Sequence, residues 1–318
     1  MSKAKKASAP IGAKTSWKNA FKRDWQLYLM LLFPLAMVII FNYASYPGLR
    51  MIFMDYKPAK GYSGSEWVGM KTILKVFKDA DFHRALKSSI AFNLLDLVVG
   101  FPMPIILALM LNELRYPRFK KVTQTILYLP HFLSWVIVGS VAYTMFRPTT
   151  GLVNIALMNW GVISEGIPFL TEKWHWAVTY LLIGVWQGMG WGTILYLAAI
   201  AGISPDLYEA AEIDGANHFQ RVWNITIPCI LPTITTLLIL DIGGLVGSGG
   251  AFEKVFLLYN PMTYEKADII STYVYRMGIG SGNYSYATAV GLFEGLINLV
   301  LLTLANIVSK KTTESGLF

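Results

Sequence analysis

The chain has 318 residues, 54% hydrophobic and only 14% charged, where a soluble protein averages about 25% charged. A mean hydropathy of +0.47 is more than a water-soluble fold can bury, which disfavours a soluble enzyme or a disordered chain. The net charge of +8 lies mostly between apolar runs, which argues against a nucleic-acid partner, and the single cysteine, Cys229, excludes an internal disulfide or a multi-cysteine metal site.

Crossing roughly 30 Å of hydrocarbon takes about 20 mostly apolar residues in a helix. Stretches free of Asp, Glu, Lys and Arg run from Trp25 to Leu49, Val122 to Phe146, Trp174 to Pro205 and Val222 to Leu240. Two more carry one carboxylate each, Ser88 to Leu111 with Asp96 and Tyr286 to Val308 with Glu294. This predicts an all-α polytopic membrane protein with spans near 25–46, 88–111, 122–146, 174–199, 225–246 and 286–308. A basic tail, 1–24, precedes the six-span domain of 25–308, and a short tail, 309–318, follows it. The first span is too long for a cleavable signal core and is expected to stay as an anchor.

With the N-terminus inside, lysines and arginines number 14 on the inner and 13 on the outer side. Those near span ends and in short loops count most, and they cluster in residues 1–24 and Arg115–Lys121. Both termini are therefore expected inside. In segment 64–87, Ile73, Leu74, Phe77 and Phe82 alternate with lysines, the pattern of a helix lying along the interface or of a water-facing one with snorkelling side chains.

Between the fourth and fifth spans, residues 202–224 carry the most information. Ser204 suits an N-cap, Pro205 the first helical position and Asp206 the positive end of the helix dipole. Glu209, Ala210 and Ala211 are strong helix formers, and Gly215 permits the left-handed turn that ends a helix. A second short helix then leads to Pro228, giving a compact helix–turn–helix knuckle.

The run Glu209-Ala210-Ala211, three residues, Gly215, nine residues, then Ile225-x-Ile227-Pro228 resembles the EAA loop of permease subunits of binding-protein-dependent ABC importers, with Asp214 and Ala216 also typical. Further strings, among them Trp67-Val68-Gly69, Gly100-Phe101-Pro102-Met103-Pro104-Ile105, Tyr128-Leu129-Pro130-His131-Phe132 and Phe256-Leu257-Leu258-Tyr259-Asn260-Pro261, are similar to the polysaccharide or complex-sugar branch of the maltose-type permease superfamily. The resemblance covers the chain from about residue 25 to the C-terminus. It implies the type I importer permease fold, with the 202–224 loop cytoplasmic as a coupling helix and a location in a bacterial plasma membrane. It also implies a heterodimer with a second, similar permease, two ATP-binding subunits, an extracellular substrate-binding lipoprotein and an oligosaccharide cargo. No Gly-Lys dipeptide occurs, so there is no P-loop. No cofactor is expected on this chain, with ATP and Mg held by the separate ATPase subunits, and the chain is expected not to be an enzyme.

Polar side chains inside a membrane are costly unless they face a bundle interior or a wet cavity. Asn93 and Asp96, Gln187, Asp241, and Glu294 and Asn298 are thus candidates for the substrate path, where amides and carboxylates can hydrogen-bond sugar hydroxyls. Interhelical bonding is the competing role. Trp135, Trp186 and Trp191 are candidate stacking platforms or interfacial anchors. In Gly243–Glu253, five of eleven residues are glycine. Where the resembling permeases place ligand-contacting side chains, this chain has mostly glycine. Either the partner permease supplies most contacts or the glycines open a roomy cavity, with Phe252 and Glu253 as candidates for its rim; a plain outer loop is the competing reading. Gly184, Gly188 and Gly192 form a small-residue stripe suited to close helix crossing, and His131 is expected to be a satisfied residue at a kink. The alternative function is an ion-coupled secondary transporter or channel relaying protons through Asp96, Asp241 or Glu294; a membrane-embedded enzyme lacks any HExxH or GxSxG signature.

Overall fold

The computed structural model describes residues 17–246 and 251–313. Most of the basic tail, Gly247–Gly250 of the glycine run and the last five residues lie outside the described residues. The chain forms two compact units, one ending at Arg50 and one beginning at Met51.

In the first unit, α1 (Trp17–Val38) runs into a π-helical turn, Ile39–Tyr43. Leu27, Met30, Phe33, Ile40 and Phe41 are all exposed. A helix that is apolar on every side belongs in lipid or against another protein.

The second unit opens with a short antiparallel pair, β1 (Met54–Asp55) and β2 (Glu66–Trp67), with Met54 opposite Trp67. The amphipathic segment then becomes α2 (Lys71–Lys78). It does not lie free: Val76 is buried and the Phe77 ring meets Phe293 edge-on at 4.6 Å. Asp79 caps α3 (Ala80–Leu95) by accepting from the Asp81 N–H, and it also accepts from the Tyr273 and Tyr286 hydroxyls at 3.0 and 2.7 Å. Burial pushes the Asp79 carboxyl up, but these donors outweigh it and hold the group below its ordinary value.

A π turn, Asp96–Gly100, joins α3 to α4 (Pro102–Asn112), so that 80–112 is one apolar run of 33 residues. The turn has a local cause. Proline lacks an N–H and its ring clashes with the carbonyl four residues back, and for Pro102 that residue is Val98, inside the wider turn. The same device precedes Pro228, whose position four back, Asn224, lies in the π turn Val222–Thr226.

The predicted third span is broken. α5 (Pro117–Tyr128) and a 3-10 turn, Leu129–Phe132, are bent by 97° from α6 (Trp135–Phe146). Extended backbone at Leu133 and Ser134 makes the break, and the Ser134 hydroxyl caps α6 by accepting from the Ile137 N–H. There follow α7 (Leu152–Asn159), the long α8 (Lys173–Ala201), α9 (Pro205–Ile213), α10 (His218–Arg221) and α11 (Ile227–Gly243). Beyond the undescribed glycines come α12 (Ala251–Leu258), α13 (Tyr264–Ala267), α14 (Ile270–Tyr275) and α15 (Tyr284–Thr313). Among the described residues, five helical runs are long and apolar enough to span, and six if the bent pair counts as one.

Three apolar clusters hold the second unit together. One gathers Phe92, Val255 and Leu258 around the stacked Trp176 and Tyr180 rings, with Phe92 edge-on to Trp176 and the Trp176 indole donating to the Leu258 carbonyl at 2.9 Å. A second gathers Ile52, Val76, Phe82, Tyr273, Tyr286 and Val290. The third packs α4, α8 and α11 through Ala108, Tyr196, Ile200 and Ile230. Glycine allows the close approaches, but not on the stripe alone. A Cβ on Gly192 would come within 2.8 Å of the Pro104 ring, whereas one on Gly188 would meet nothing. The tightest helix crossing is at Gly190, off the stripe, where a Cβ would collide with the Leu127 carbonyl.

Candidate functional site: an exposed knuckle and a polar cleft

The knuckle forms by the local rules its sequence contains. Ser204 takes the N-cap position in extended backbone with Pro205 first in α9, though its hydroxyl makes no capping bond. At the other end Gly215 has φ +79°. The Ala216 N–H donates to the Ala211 carbonyl at 2.9 Å and the Gly215 N–H to the Glu212 carbonyl at 3.1 Å, which is the bond pair of a Schellman turn. Asn217 and Gln220 then start α10 with a reciprocal capping box that the sequence reading missed.

Glu209, Ala210, Asp214 and Gly215 are exposed, while Ala211 and Ala216 are half-buried where the turn folds back. Ile213 at 87% exposure, with Leu207, Phe219 and Trp223, gives the knuckle an apolar surface. Phe219 and Trp223 stack at 6.1 Å. The knuckle is anchored to the spans: Tyr208 shares a hydrogen bond with buried Thr226 at 3.0 Å, and His218 Nε2 lies 3.4 Å from Glu113 at the end of α4. Arg221 pairs with Glu212 across the turn at 3.3 Å. Apolar groups displayed on a braced hairpin make a docking surface.

A second feature is a cleft of about 630 Å³ between the spans. Of the predicted path residues, Asn93, Asp96, Gln187 and Asp241 line it together, along with Trp135 and His131. Among the described residues the Asp241 side chain has no hydrogen-bond or ion-pair partner, and the residue lines the cleft. Gln187 donates to the His131 carbonyl at 3.4 Å. His131 sits at the bend as expected and stacks flat on Trp191 at 4.6 Å, but among the described residues its buried Nδ1 has no hydrogen-bond partner, unlike the satisfied histidine expected there.

The remaining candidates lie elsewhere. Phe252 and Glu253 line a separate cavity of about 700 Å³ with Tyr275, Tyr284 and Thr288. Trp186 is half-exposed and lines neither cavity, and neither does Glu294. Asn298 accepts from the Val246 N–H at 3.0 Å, while Asn93 donates to the adjacent Leu245 carbonyl at 2.7 Å. These two amides, from two different helices, clamp the turn that ends α11.

The sequence reading missed Lys254. Its ammonium is 3.0 Å from Asp96 Oδ2 and 3.6 Å from the Tyr180 ring centre, and the Tyr180 hydroxyl donates to the same carboxylate oxygen at 3.3 Å. The Lys254 side chain is 7% exposed against 32% for Asp96. A carboxylate at mid-span calls for a cation, and that was the available signal; which lysine answers it depends on a contact 158 residues away.

Residues 100–314 match the family model described as the inner membrane component of binding-protein-dependent transport systems. The chain is 43% identical over 317 residues to protein LplB of Bacillus subtilis, covering 99% of this chain and 98% of that one. It is also 43% identical to the Bacillus subtilis polygalacturonan/rhamnogalacturonan transport system permease protein YteP, covering 92% and 90%. A chain of a bacterial ABC transporter involved in the import of the acidic polysaccharide alginate superposes with a TM-score of 0.83 at 42% identity, covering 93% of this chain and 99% of that one. The chain belongs to the inner membrane components of binding-protein-dependent ABC transport systems, as a non-enzymatic permease subunit with the type I importer fold.

Proposed function

We propose that this chain forms half of the translocation path of an ATP-driven oligosaccharide importer, and that the Glu209–Gly215 knuckle receives the motion of a separate ATPase. The observation that carries this reading is the knuckle itself: a braced, glycine-terminated hairpin with exposed Ile213, Phe219 and Trp223. A second permease completes the path, two ATP-binding subunits hold ATP and Mg, and an extracellular lipoprotein delivers the sugar. The knuckle then lies in the cytoplasm with both termini. A uronic-acid oligosaccharide is the leading cargo class, because YteP and the alginate transporter are named for such polymers. An ion-coupled transporter would have no use for the knuckle, and the family offers that alternative no support.

The test is reconstitution of the full importer, followed by ATP hydrolysis with its binding protein and with oligogalacturonate, alginate oligosaccharide or a neutral galacto-oligosaccharide. Stimulation by binding protein plus one of these sugars is expected; stimulation by none of them would defeat the reading. In the same assay Asp241→Ala should lower sugar-stimulated hydrolysis about tenfold without loss of assembly, as expected where a carboxylate bonding a sugar hydroxyl contributes about 1.4 kcal/mol. Unchanged kinetics would return Asp241 to helix packing.

A further inference from the structure

Neighbouring residues on α12 face different spaces. Ala251 and Lys254 line the cleft between the spans, whereas Phe252 and Glu253 line the second cavity. One short helix therefore lines both spaces. The helix is fastened on its cleft side by the Lys254–Asp96 pair and packed by Val255 and Leu258 against Trp176.

The fastening is unlike a packing device. A buried ion pair is a poor source of stability, since desolvating both charges offsets most of their attraction, but breaking one by removing a partner is strongly unfavourable. Such a contact favours one arrangement over another more than it stabilises the fold. Asp96 stands at the start of a π turn, an irregularity often found at functional sites. Gly184 leaves the room the ammonium occupies, for a Cβ there would collide with Lys254 Nζ. The Tyr180 ring and hydroxyl complete the cradle.

We propose that α12 is the partition between an antechamber and the transmembrane cleft, and that the Asp96–Lys254 ion pair is its latch, with Lys254 acting as a positioning residue for transport. While the pair is made, sugar in the antechamber and sugar in the cleft are separated; when the loaded binding protein docks, the pair breaks and the chambers join. This rests on the importer reading above. The latch holds the resting state, so releasing it removes the requirement for the binding protein.

The test measures ATP hydrolysis by the reconstituted importer without binding protein or sugar. Lys254→Met should raise that rate about fivefold or more, the lower range of couplings between sites. Because Lys254→Met leaves the half-buried Asp96 without its cation, two further variants guard against misfolding. Asp96→Asn with Lys254→Met removes both charges, and Gly184→Ala displaces the flexible ammonium while keeping both. Each should show the same rise. An assembled double variant or Gly184→Ala importer hydrolysing at the wild-type resting rate would overturn the latch. Failure of the importer reading looks different: there the wild type is not stimulated by binding protein and sugar at all.

Discussion

Gly215→Pro should abolish coupled transport and the co-purification of the ATPase while the chain still inserts in the membrane. The reason is confined to one residue. At φ +79° proline, fixed near −65°, cannot replace glycine, and its missing N–H removes the bond to the Glu212 carbonyl. The Schellman turn then cannot close, and α9 no longer meets α10 at its present angle. Alanine makes the comparison graded. Nothing lies within 4 Å of a Cβ at Gly215, so Gly215→Ala meets only the left-handed backbone penalty of about 1–2 kcal/mol. That reduces the correctly formed knuckle by about five- to thirtyfold where it is marginal. The order wild type, Gly215→Ala, Gly215→Pro in transport rate, at equal membrane abundance, is the expected outcome. Equal transport by all three would mean the knuckle's shape is immaterial.

The largest effect on assembly is expected at Gly190, two residues from a position where the same change should help. A Cβ on Gly190 falls on the carbonyl of Leu127, a backbone atom that no rotamer change can move aside. Gly190→Ala must therefore push α5 away from α8, an overpacking cost of about 1–3 kcal/mol and occasionally more. Gly188→Ala meets nothing within 4 Å and gains helix propensity of about 0.5–1 kcal/mol. Thermal unfolding of the purified importer in detergent should move down for the first variant and up for the second. A shift of the same sign in both would contradict the packing described here.

These contrasts also mark what one sequence can reveal. The knuckle was legible because each of its causes is local: Pro205 first in the helix, Gly215 at its end, the alanines between. The spans were legible because charge is costly in hydrocarbon, and uncharged runs of the required length are conspicuous. The same test hid the break at Leu133 and Ser134, since an uncharged run of 25 residues reads as one span whether straight or bent. In hindsight the Ser134 cap was the signal. Glu253 was read as a rim candidate and Lys254 was passed over, and only folding puts one beside each cavity. Asn93 and Asn298 were read as candidates for the substrate path, with interhelical bonding as the competing role. Their partners are the backbone of Leu245 and Val246, which no spacing rule reaches.

The account depends on the knuckle being the contact with the motor. Ile213, its most exposed apolar residue at 87%, is the place to ask. With a photo-crosslinking amino acid at position 213 and the whole importer in native membranes, illumination should join the permease to the ATPase subunit. An adduct with the extracellular binding protein, or none with the ATPase in an importer that still transports, would contradict it.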